Sequence, residues 1–116
     1  MINYDNKTFR IVSNTSNGDT GESTLFVYHQ DGPMIWATYS GGKIRKGHLI
    51  GSVDEEYRIH MVYHHLNTDQ QIMTGKCIST PEILPDGRIR LHESWQWTNG
   101  AGDSGNSVIE EVSFKG

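Results

Sequence analysis

Cysteine occurs once, at Cys77, which excludes an internal disulfide framework and any cysteine-rich zinc or iron–sulfur site. Alanine, the best helix former, occurs only at Ala37 and Ala101. No run approaches the ~20 consecutive apolar residues of a membrane helix. Positive charge is also scarce: Lys and Arg number 10 against 14 Asp and Glu, a net charge of −4. Nucleic-acid binding draws on a surplus of cations to displace phosphate counterions, so that class of partner is not expected. The opening Met1-Ile2-Asn3-Tyr4-Asp5-Asn6-Lys7 has neither the basic start nor the apolar middle of a signal peptide. A cytoplasmic location with no membrane partner is therefore expected. Leu, Ile, Val and Phe total 25 of 116 residues, enough for one thin core. A single domain spanning 1–116 follows, and a closed or two-layer β structure suits that supply.

What is plentiful is Thr, Ile, Val, Tyr and Trp, the residues that fit a pleated surface. Short runs of period two, broken by Gly, Asn and Asp clusters, extend from end to end, and helical spacing is absent. Strands are predicted at Thr8–Ser13, Thr24–Gln30, Met34–Ser40, Lys43–Val53, Tyr57–Leu66, Gln71–Ser79, Arg88–Thr98 and Ser107–Phe114. Asp31-Gly32-Pro33, Gly41-Gly42, Asn67-Thr68-Asp69 and Pro85-Asp86-Gly87 carry turn chemistry. Ser13 to Gly21 contains no hydrophobic residue, which predicts a solvated, mobile loop. Short connections make sequential strands antiparallel neighbours. A sandwich must defend its edges whereas a barrel has none, and the even hairpin spacing favours an eight-stranded antiparallel up-and-down β-barrel. Gly47 and Gly51 would then mark bulges or corners.

Two segments carry a family resemblance. Arg88-Ile89-Arg90-Leu91-His92-Glu93-Ser94-Trp95-Gln96-Trp97-Thr98-Asn99-Gly100, followed by Ser107–Phe114, resembles the last hairpin of avidin-type barrels, which end in a Trp-bearing strand, a glycine turn and a strand closing on Phe. Gly32-Pro33-Met34-Ile35-Trp36-Ala37-Thr38-Tyr39 is similar to their early strand with a glycine start and a tyrosine end. The resemblance covers about a third of the chain and implies an avidin/lipocalin-like (calycin-like) fold. Lipocalins add a flanking helix and fatty-acid-binding proteins a helical lid, for which this chain has no room. The whole chain also resembles a group of short bacterial proteins with Ser-Gly-Gly-Lys-Ile and Trp-Gln-Trp-Thr-Asn-Gly elements, often labelled N-acetylglutamate synthase. Enzymes of that name resemble amino-acid kinases or acetyltransferases, whose α/β folds need helices and a coenzyme-A-binding turn that nothing here supplies.

Alternation sorts the candidate site. Ile89, Leu91, Glu93, Trp95 and Trp97 share the apolar face of their strand, which sets a carboxylate among apolar neighbours. Such a group must find donors or take up a proton. Val108, Glu110, Val112 and Phe114 repeat the anomaly in the last strand. Tyr57, Ile59, Met61, Tyr63 and His65 form a third apolar set, and Met73, Gly75, Cys77 and Ser79 a face of the next strand. These place a ligand pocket among Met61, Tyr63, Cys77, Glu93, Trp95 and Glu110, with Tyr28 and Tyr39 opposite. The competing expectation is that Glu93 and Glu110 pair with Arg, Lys or Tyr inside a small, filled barrel.

Other motifs carry less. His60 and His64 share a strand face about 13 Å apart, too far for one ion at ~3.3 Å per residue. The histidines are expected to be exposed, and no metal or cofactor is expected. Gly100-Ala101-Gly102-Asp103-Ser104-Gly105 matches Gly-x-Gly-x-x-Gly, but a strand follows instead of the helix that a dinucleotide site needs. Gly42-Lys43 lacks the Ser or Thr of a phosphate loop. Cys77 is expected to be a small core residue, and Ser104 in Gly-Asp-Ser-Gly a chance echo of a protease nucleophile. The leading function is non-catalytic binding of a small, partly apolar ligand in the barrel interior. The alternatives are an enzyme using Glu93 or Glu110 as general acid or base, and a filled barrel acting as a structural or protein-interaction module. Self-association is left open, with outward-facing Met34 and Trp36 as its mark.

Overall fold

The computed structural model describes residues 2–15, 18–21, 23–100 and 102–112. Eight strands follow in order: β1 Lys7–Asn14, β2 Leu25–Asp31, β3 Met34–Gly41, β4 Ile44–Val53, β5 Ile59–Asn67, β6 Ile72–Ile83, β7 Ile89–Trp97 and β8 Ser104–Glu111. Each pairs antiparallel with its neighbours, and β8 returns to β1, so the sheet closes into a barrel. No helix occurs among the described residues, so the α/β folds of N-acetylglutamate synthases are not this fold. Closure satisfies every strand edge and leaves alternate side chains facing a narrow interior. In β3, Ile35, Ala37 and Tyr39 are buried while Met34, Trp36, Thr38 and Ser40 are exposed. The same period buries Ile59 and Met61 on β5 and Leu91, Trp95 and Trp97 on β7.

One end of the barrel is packed shut. Tyr4 is fully buried there, its amide donating to Gln30 Oε1 at 2.9 Å and its hydroxyl to the Tyr57 carbonyl at 2.6 Å. Phe9, Ile35, Ile59, Leu91 and Ile109 fill the adjacent interior. The other end carries the connections after β1, β3, β5 and β7. Its tightest turn is Gly41-Gly42, with φ of 116° and 64°, where a Cβ on Gly41 would strike the Ser23 carbonyl.

The glycines inside strands have a different role from the expected one. Gly47 lies opposite Tyr39, next to the register shift between Tyr39 and Gly41, and Gly75 opposite Tyr63 and Gly105 opposite Trp95 are in regular pairing. A Cβ at Gly47 would fall 2.4–2.8 Å from Tyr39 ring carbons, and one at Gly105 would fall 2.4 Å from the Trp95 ring. Each glycine is a floor on which the aromatic ring of the neighbouring strand lies, which lets large rings share a narrow bore. Gly51 likewise pairs regularly with Met61, where a Cβ would fall 2.2 Å from the His60 carbonyl. The β4 irregularity sits instead between Ile44 and Lys46.

Four expectations need correction. β6 runs through Pro81 to Ile83 instead of stopping at Ser79, and β8 begins at Ser104, inside the stretch read as a glycine connection. Tyr57 is a turn residue with φ of 64° and not the first residue of a strand. The inward face of β8 is Ser107 and Ile109, not Val108 and Glu110, because Ser107 is registered on Glu93 and Ile109 on Leu91. The expected strand end at Phe114 lies outside the described residues.

Candidate functional site

Between the packed end and the open end the interior holds a cavity of about 60 Å³, measured to the centres of water-sized spheres. That is room for roughly four or five waters or a ligand of similar size. Its floor is Glu93. The neighbouring strands put a serine on either side of this carboxylate, since Ser79 and Ser107 are its register partners on β6 and β8. Ser79 Oγ donates to Oε2 and Ser107 Oγ to Oε1, both at 2.9 Å. The surface Glu93 retains faces the cavity. Burial raises its pKa above the ordinary glutamate value, and the two hydroxyls offset part of that rise. Among the described residues lining the cavity there is no Lys or Arg.

The walls are aromatic and aliphatic. Trp95 and Trp97 lie with ring centroids 5.4 Å apart, and Tyr63 stands edge-on to Trp97 at 5.8 Å. Phe26 stacks on Tyr39 at 5.1 Å, and Leu49 and Met61 complete the apolar lining. Cys77 borders the same space; burial and the nearby Glu93 charge push its thiol well above the usual cysteine range. It is therefore held as a thiol, which removes the nucleophile that a Cys–His pair would need.

The mouth is closed over by chain that was expected to be free in solvent. Asp19, in the connection between β1 and β2, accepts hydrogen bonds at Oδ2 from His65 Nε2 at 2.9 Å and Asn67 Nδ2 at 3.2 Å. His65 Nδ1 lies 3.0 Å from the Tyr39 hydroxyl, which also lies 3.3 Å from the His64 carbonyl. Asn14 Nδ2 donates to Thr20 Oγ1 at 2.7 Å and holds the same connection from the other side. His65, 3% exposed, corrects the expectation that the histidines are solvent-facing.

Six of the eight expected site residues border the cavity: Tyr39, Met61, Tyr63, Cys77, Glu93 and Trp95. Tyr28 is interior but lies below it, fully buried, with a hydroxyl that finds no hydrogen-bond partner among the described residues. Glu110 is a correction: it faces outward and is held by Arg90 Nη2 at 2.8 Å and Arg88 Nη1 at 3.5 Å. The acid–base reading of Glu110 therefore loses its basis. Sequence reasoning missed Asp19, Phe26, Leu49, His65, Trp97 and Ser107. Trp97 and His65 stood on faces already recognised as apolar, so the alternation carried their signal. Asp19 had none, because a polar loop over a polar mouth has the composition of a polar loop in water.

The outside of the barrel also bears on function. Met34, Trp36, Ile50, Val62 and Ile78 are exposed on β3 to β6, and Trp36, Ile50 and Val62 stand in one cross-strand row. The register brings His48 beside His64, with rings 5.5 Å apart, yet the described residues contain no group of three or more His, Cys, Asp or Glu able to hold a metal ion. Among them, no helix is long and apolar enough to cross a membrane.

Comparison with curated proteins and with solved structures returns no match to this chain. A family model described as avidin-like protein matches residues 2–112, nearly the full length. On that match and the closed eight-stranded antiparallel barrel, the chain belongs to the avidin-like family.

Proposed function

We propose that this protein binds a small, partly apolar molecule non-covalently in the barrel interior, under the connection that carries Asp19. The observation supporting this most strongly is the cavity between Glu93 and the mouth. A filled barrel would have its interior carboxylate neutralised by a cation; here Glu93 meets serine hydroxyls and open space. Aromatic walls with a few convergent polar groups are the usual composition of a ligand site. Avidin-like barrels generally bind small ligands, biotin among them, but the identity of a ligand resides in the site and not in the fold. A ligand of about five heavy atoms gains at most ~1.5 kcal/mol per atom, so affinities in the micromolar range or weaker are expected from the cavity at its present size.

The test is a fragment library followed by tryptophan fluorescence and thermal shift, with Trp95→Phe and the exterior Trp36→Phe compared. Interior binding predicts that the ligand-induced change survives Trp36→Phe and is reduced in Trp95→Phe. A change that depends on Trp36 alone would refute interior binding.

A second reading, self-association, is supported by the exposed row of Trp36, Ile50 and Val62. Members of this family often oligomerise. Light scattering on Ile50→Lys against the parent chain tests it. A smaller particle for the variant supports the reading, and equal mass for both refutes it.

A further inference from the structure

We infer that the cavity selects a small organic cation, an ammonium-bearing molecule whose charged end sits on Glu93 and whose apolar body lies against Tyr63, Trp95 and Trp97. The inference rests on the interior-binding reading and names the ligand class for that same site.

A carboxylate has about four acceptor positions, and Ser79 and Ser107 occupy one on each oxygen. The rest of Glu93's capacity faces the cavity, where only donors can satisfy it. No Lys or Arg lies among the described residues that line the cavity. The titratable groups facing this space are Tyr39 from β3, Tyr63 and His65 from β5, Cys77 from β6 and Asp19 at the mouth, with Tyr28 from β2 buried below it. β1, β2, β4, β7 and β8 add Asn14, Phe26, Leu49, Trp95, Trp97 and Ser107, none of which titrates. The three tyrosines and the thiol are all raised by burial and stay neutral. His65 is the one base, and both its nitrogens are occupied, by Asp19 and by Tyr39.

An anion entering this space would meet the Asp19 carboxylate at the mouth and the Glu93 carboxylate at the floor, with no Lys or Arg lining the way. A neutral alcohol could donate one hydrogen bond but gain no charge attraction. An ammonium offers three donors and would pair with the carboxylate inside the barrel, where such pairing counts for more than in bulk water. The faces of tryptophan and tyrosine carry negative potential and favour the same ligand. The whole chain, at net −4, favours cations over anions in general.

Three probes of equal size separate the possibilities: n-butylammonium, n-butanol and butyrate, titrated into the full chain with Trp95 and Trp97 indole N–H resonances as readout. The inference predicts n-butylammonium binding at least tenfold more tightly than butyrate and more tightly than butanol. In Glu93→Gln the ammonium falls about tenfold, to the level of butanol, while butanol is unchanged. If butanol or butyrate equals or exceeds the ammonium, or if Glu93→Gln keeps the preference, the cation inference is overturned while interior binding stands. If none of the three moves the interior indoles, both readings fail together. Should Glu93→Gln not fold, the parent protein decides: ammonium affinity must rise with pH as Glu93 ionises, with butanol flat, and a flat ammonium profile overturns the inference.

Discussion

Replacing Glu93 with glutamine tests how the interior carboxylate is held, and the sign of its effect can be worked out in advance. Burial raises the folded-state pKa of Glu93 above the ordinary glutamate value of about 4.5. Below about 4.5 both folded and unfolded chains hold the proton, and the position contributes no pH dependence. Above it the unfolded chain releases the proton first, so the parent protein loses stability as pH rises, by up to ~1.36 kcal/mol per pH unit. The loss stops once pH passes the folded-state value. This is the reverse of a carboxylate paired with Arg, which gains stability across its window. Glutamine has no charge to release, so the variant lacks the slope. Its amide must replace one accepted hydroxyl bond by a donated one, a constant offset of about 1 kcal/mol. Urea unfolding of both proteins from pH 4 to 9 should show the variant gaining on the parent from about pH 5 upward and then levelling. A difference independent of pH, or a parent that gains on the variant as pH rises, would refute the burial argument.

Three further outcomes are expected. Gly47→Ala should destabilise by about 1–3 kcal/mol in chemical denaturation, because its Cβ would meet the buried Tyr39 ring at 2.4–2.8 Å; loss below ~0.5 kcal/mol would mean the ring is not seated on Gly47. Tyr28→Phe should be neutral or stabilise by about 1 kcal/mol, since it removes a buried hydroxyl without a partner, and a clear loss would show that the hydroxyl is engaged. Cys77 should resist an aromatic disulfide reagent at pH 8 in the native state and react fully after urea unfolding. Rapid native reaction would contradict its place in the wall.

The parts of the fold that were legible are those where the two faces of a strand differ sharply. β7 alternates Ile89, Leu91, Trp95 and Trp97 against Arg90, His92, Ser94 and Gln96, and the expected inward face is the observed one. On β8 the faces are nearly balanced in apolar content, and hydrophobicity cannot choose between them. The choice is made by the neighbouring strand, through Glu93 opposite Ser107 and Arg90 opposite Glu110. A one-residue inversion of face therefore moved Glu110 from the interior to an ion pair on the surface. The strand glycines show the same limit. In sequence a glycine inside a strand is a bulge or a site of close approach, and only the partner across the ladder decides between them. Cross-strand register is long-range information, and the Asp19–His65 bond, spanning 46 residues, belongs to the same class.

The most direct test of interior binding is NMR mapping of a bound fragment, using the Met61 methyl and the three tryptophan indoles of the parent chain. Met61, Trp95 and Trp97 border the cavity, and Trp36 lies outside, stacked on His29. The account predicts shifts at the three interior probes with Trp36 unmoved. Shifts at Trp36 with the interior probes silent would place binding on the outer face and contradict it.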